Sequence, residues 1–148
     1  MALAEHRFQK TINLAAVSLM SQLMIRLKAM TLKYPHGLPS TRSAGVVIRN
    51  ELLSDFYGLV SEAALRPVQN LVAVNQDLTP TTIKEVPDLV IETFVALLEN
   101  QKAQWLEKSV ASPFRQLADN LPYIVSEIRE IGEQIRQATA GLPFGYGR

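Results

Sequence analysis

Residues 114–142 read FRQLADNLPYIVSEIREIGEQIRQATAGL, and the apolar positions Phe114, Leu117, Leu121, Ile124, Ile128, Ile131, Ile135, Ala138 and Leu142 recur at alternating steps of three and four. This is a seven-residue repeat, which on a helix forms one narrow apolar seam. Arg129, Glu130, Glu133, Arg136 and Gln137 fall on the opposite, wet side. Such a seam is stable only against other helices. Isoleucine stands in both of its columns, at Ile128 and Ile135 in one and Ile124 and Ile131 in the other, a choice that disfavours two-stranded pairing. The flanking positions Asn120, Val125, Glu127, Gly132, Gln134 and Thr139 hold a single charge, where a free-standing zipper pairs charges. Gly132 and Ala138 admit a close neighbour. The seam therefore predicts an all-α bundle with this helix facing inward.

Upstream of the seam, Ser112-Pro113 is a cap followed by proline, the signal for a helix start. Pro122 interrupts the stretch, with Asp119 or Asn120 as a fresh cap, and predicts a short helix meeting a long one at a kink. Downstream, Gly141-Leu142-Pro143-Phe144-Gly145-Tyr146-Gly147-Arg148 has too much glycine and proline for a helix. It predicts an extended tail over 141–148, with Phe144, Tyr146 and Arg148 as candidate docking residues.

Asp77-Leu78-Thr79-Pro80 repeats the cap-and-proline device, and Pro87 follows too soon for one unbroken helix. The expectation is a turn of helix to Glu85 and a longer, broadly apolar and buried central helix from Pro87 to Ser109. Trp105, the single tryptophan, is a core residue or an interface anchor. Val68 to Val74 reads as a short helix, since no other segment offers a strand to pair with.

In the first third, Phe8, Ile12, Ala15, Leu19, Leu23, Leu27 and Met30 recur at helical period from Glu5 to Lys33. Leu14, Val17, Met20 and Met24 widen that apolar face and predict neighbours on two sides of the helix. Tyr34-Pro35-His36-Gly37-Leu38-Pro39-Ser40 marks a loop, taken to extend to Ser43. A second helix, capped by Ser40, Thr41 or Ser43, runs to Leu65, where Pro67 ends it. The chain thus reads as one helical domain over 1–140, a bundle of about four main helices, followed by the tail.

The 148 residues carry a net charge of +1, which conceals an asymmetry. Seven basic residues stand against one acidic residue through Asn50, a net of +6, and eight against thirteen thereafter, a net of −5. Arg26, Lys28, Lys33, Arg42 and Arg49 are candidate contacts for an anionic partner: nucleic acid, an anionic membrane surface, or the acidic body of a like subunit. The apolar run from Ile12 to Ile25 is too short and polar to cross a membrane. Arg26 and Lys28 follow it without a small-residue cleavage pattern, so no signal peptide is expected, and the chain is placed in the cytoplasm or within an assembled particle.

The absence of cysteine removes thiolate chemistry, disulfides and Cys-ligated metals. Neither His6 nor His36 has a Glu three residues before it, so the carboxylate-bridged metal pattern of bundles is missing. There is no Gly-rich phosphate loop and no nucleophile elbow. No cofactor is implied. These features describe a non-enzymatic subunit of a larger assembly, such as a virion, a phage neck or tail, or a secretion machine. The alternative is a helical protein that binds or packages nucleic acid through its basic third.

Overall fold

A computed structural model describes the backbone of residues 2–38, 41–63, 66 and 80–140, with side chains at 8–38, 46–63, 66 and 85–138. Those residues are predominantly helical, joined by short turns, without a strand among them. In chain order the helices are α1 (Ala2–Lys33), α2 (Thr41–Leu53), α3 (56–63), α4 (Pro80–Trp105), α5 (Pro113–Asp119) and α6 (Leu121–Ala140). The expectations for Val68–Val74 and for the 141–148 tail lie outside the described residues.

At 32 residues, α1 spans about 48 Å. Its predicted inner series is buried at Ile12, Ala15, Leu19, Leu23, Leu27 and Met30. Leu14 and Val17, expected to widen that face, instead point to solvent, 60% and 50% exposed. The helix is covered from one side only. Pro35 ends α1 by forcing Tyr34 out of helical dihedrals. Gly37, at φ 92°, then turns the chain so that the Leu38 N–H donates to the Ala111 carbonyl at 3.0 Å. The next helix begins at Thr41, inside the stretch read as loop and at the start that the first of the three expected caps implies.

The expected single helix to Leu65 is divided. A turn at Ser54-Asp55 separates α2 from α3, and the Asp55 carboxylate accepts from Arg26 on α1 at 2.8 Å. Serine and aspartate compete with helical backbone bonding, and here the tertiary partner takes the aspartate. The expected break at Pro87 is absent: α4 runs through it without interruption. Pro87 is itself buried, flanked by buried Val86, Val90 and Ile91, and burial of this face compensates for the missing backbone bond. The helix stops at Trp105, earlier than Ser109, because the connector has other bonds. Arg115 donates to the Leu106 and Lys108 carbonyls at 2.9 and 3.3 Å, and the buried Gln116 amide donates to the Val110 carbonyl.

The start of α5 follows the sequence: the Ser112 hydroxyl accepts from the Phe114 N–H at 3.2 Å, and Pro113 opens the helix. Asn120 joins α5 to α6. Its carbonyl accepts the Ile124 N–H, the first bond of α6, while its side-chain amide donates back to the Gln116 carbonyl. Asn120 therefore serves both helices, and Asp119 pairs with Arg115 instead.

Helix α1 packs most extensively on α4, which also carries α6 on another side, while α2 packs on α5 and α1. The heptad seam is internal at Leu117, Leu121, Ile124, Ile128 and Ile135, partly covered at Phe114 and Ile131, and exposed at Ala138. Gly132 admits Ile91 of α4 against the α6 backbone. At the centre, Phe56 of α3 meets Phe94 of α4 with ring centroids 5.7 Å apart. Each such fully buried side chain contributes about 1.5–3 kcal/mol. No buried side-chain polar atom lacks a partner among the described residues.

Candidate interaction surface

The basic residues singled out from the sequence do not form one open patch. Arg26 is bound to Asp55 at 2.8 Å, and Lys33 donates to Glu51 at 2.6 Å with the Tyr34 hydroxyl on the same carboxylate oxygen. Hydrogen bonding to Lys33 holds the Glu51 carboxyl below its ordinary pKa against the opposing effect of partial burial, and the same bond raises Lys33. Arg49, on α2, lies near Tyr123, Glu127 and Glu130 of α6, and its interaction with Tyr123 first and the two carboxylates next raises its pKa. The side chain of Arg42 lies outside the described residues. Lys28 is exposed and forms no ion pair among them. Two of the five candidates, Arg26 and Lys33, thus act inside the fold, binding α1 to α2 and its following turn.

Trp105 stands in the interior. It is 2% exposed, and its indole meets the Phe114 ring edge-on at 5.8 Å. Phe144, Tyr146 and Arg148 lie outside the described residues. Among those described, no group of three or more metal-ligating side chains comes together, and no helix is long and apolar enough to cross a membrane.

Apolar surface is concentrated on the outside of α1. Leu14, Ile25 and Leu32 lie directly opposite the buried series, because eleven and seven residues are both near-integral numbers of helical turns. They are 60%, 59% and 82% exposed. Beside Leu14, an open groove of about 460 Å³ runs between α1 and α3, floored by Leu19 and Leu59, with the Glu62–Arg66 ion pair at its rim.

No family model, curated protein or solved structure matches the chain. The surface must be interpreted from its own chemistry. Sequence reading missed this outer line because it assigned Leu14 and Val17 to a wider inner face. The available signal was angular: residues 14, 25 and 32 fall half a turn from residues 12, 19, 23 and 27. A helix with aliphatic side chains on two opposite faces has a second surface to cover, and among the described residues the second surface of α1 remains open. Its charge is one-sided as well, since no acidic residue occurs from His6 to Asn50.

Proposed function

We propose that the protein is a non-enzymatic interaction subunit of a larger protein assembly, docking through outward helical faces and its C-terminal segment. The observation that supports this reading is the exposed line of Leu14, Ile25 and Leu32 opposite the core face of α1. Large aliphatic side chains repeating along one outward face offer a partner apolar area, at roughly 25 cal/mol per Å² buried. Lys10 and Lys28, both exposed and together on one flank of the line, favour a partner with acidic character. A nucleic-acid role draws less support, because Arg26 and Lys33 are engaged by Asp55 and Glu51.

Light scattering on the full chain and on a chain ending at Ala140, each at low and high salt, tests this reading. A defined oligomer or concentration-dependent growth is expected, weakened by salt and by removal of Phe144 and Tyr146. A monomer under every condition would overturn it.

A further inference from the structure

We infer that the partner of the outer α1 face is the outer α4 face of a second copy of this chain, so that copies add face to back. The inference rests on the interaction-subunit reading and identifies the partner.

The outer stripe of α1 runs Ser18, Ser21, Ile25, Lys28 and Leu32, at steps of three, four, three and four, with every member exposed. On α4, Leu89, Glu92, Ala96, Glu99 and Ala103 follow the same steps and are likewise all exposed. One stripe carries a lysine and no acid. The other carries Glu92 and Glu99 and no base; Glu92 is held by Arg129 of α6, so Glu99, with exposed Glu85 a turn before the stripe, supplies its open negative charge.

Laid parallel at a constant offset, the two stripes match from Ile25 to Leu32, while the same offset sets Ser21 on Glu92 and Leu14 beside the aliphatic stem of Glu85. Ile25 falls on Ala96 and Leu32 on Ala103, two large side chains about 10.5 Å apart along one axis meeting two small ones at the same spacing. Lys28 falls on Glu99 between them. Two turns before Ile25 the sizes reverse, and Leu89 falls on Ser18. Large against small at every second turn is the knob-and-hole condition for close helix packing. Lys28 and Glu99 form no hydrogen bond or salt bridge among the described residues, so both are available to a partner.

Charge selects this pairing over the symmetric ones. Two α1 stripes together would bring base to base, and two α4 stripes would set glutamate on glutamate; only the mixed contact pairs opposite charges. Because α1 and α4 pack on each other through their inner faces, their outer stripes face away from one another. A contact between them is heterologous, and it closes into a ring or continues as a filament.

Charge reversal in the full chain tests this. Lys28→Glu and Glu99→Lys, both at exposed sites, should each abolish the concentration-dependent mass seen by sedimentation. The two substitutions in one chain should restore it, and so should mixing the two singly substituted proteins, since each then meets its complement. Circular dichroism with thermal unfolding verifies that each variant is folded. If self-association persists in both single variants, or fails to return in the double, the α1–α4 contact is wrong while the assembly reading stands. If the unsubstituted chain is monomeric at every concentration, both fall.

Discussion

Ile91 of α4 seats its terminal methyl against the backbone of Gly132 on α6, in the space where a larger residue would place its Cβ. Alanine at 132 would gain about 0.8–1 kcal/mol of helix propensity. It would also expel the Ile91 methyl into the open groove beside Arg129 and Arg136. Expulsion costs about 0.8 kcal/mol of lost burial and about 0.5–1.5 kcal/mol of rotamer strain. Gly132→Ala should therefore be slightly destabilising. With Ile91→Val the obstructing methyl is gone, and the same glycine substitution should become stabilising. A double-mutant cycle in urea should give a coupling of about 1 kcal/mol, and simple additivity would refute the contact.

Gly37 faces two obstacles to substitution. Its φ of 92° is strained for any other residue, and a Cβ there would strike the Cβ of Ala111. The loop cannot retreat without losing the Leu38–Ala111 backbone bond at 3.0 Å. Gly37→Ala is expected to cost about 2 kcal/mol or more. Adding Ala111→Gly removes the collision but leaves the dihedral cost of about 1–2 kcal/mol, so thermal unfolding of the pair should show partial recovery. Full recovery would mean that backbone strain is absent.

Two carboxylates predict acid sensitivity. The hydrogen bond from Arg26 holds Asp55 below its ordinary pKa, and that from Lys33 does the same for Glu51, in each case against partial burial. The unfolded chain then binds protons more readily than the folded one, so stability present at neutral pH is lost as pH falls through the depressed values. The Lys33 end behaves oppositely: its raised pKa means its contribution is lost only when pH rises beyond the ordinary lysine range. Urea midpoints should decline on acidification, and an Arg26→Met, Lys33→Met chain should decline less. Equal slopes would exclude these pairs as a source of the sensitivity.

Local chemistry made much of the fold legible. The inner series of α1, the seam from Leu117 to Ile135 and the Ser112-Pro113 start depend on helical period and on a hydroxyl two residues from its donor, and they appear as read. Features fixed by distant partners were hidden. Asp55 interrupts the α2–α3 segment while bound to a residue 29 positions earlier in the chain, and no local rule supplies that arginine. The basic residues were legible as a set, but the pairing of Arg26 with Asp55 and of Lys33 with Glu51 was not, because it depends on which helices become neighbours. Coverage was hidden in the same way, since period locates the faces of α1 without saying how many are buried.

Pro87 puts the competition between local rule and packing to a direct test. It lies seven residues inside α4, where it withholds a backbone donor from the Ile83 carbonyl and crowds it, a cost of about 3 kcal/mol in an ordinary helix. The helix nevertheless continues, and the ring is buried. Pro87→Ala would restore the donor and remove the crowding while losing about two methylenes of buried surface, roughly 1.6 kcal/mol at 0.8 each. The balance favours alanine by about 1 kcal/mol, within the range expected when a helix-interior proline is relieved. Urea denaturation should show a higher midpoint at unchanged slope. A lower midpoint would mean that the ring contributes more through packing than the missing bond costs, and that Pro87 helps to set the geometry of α4 against α1 and α6.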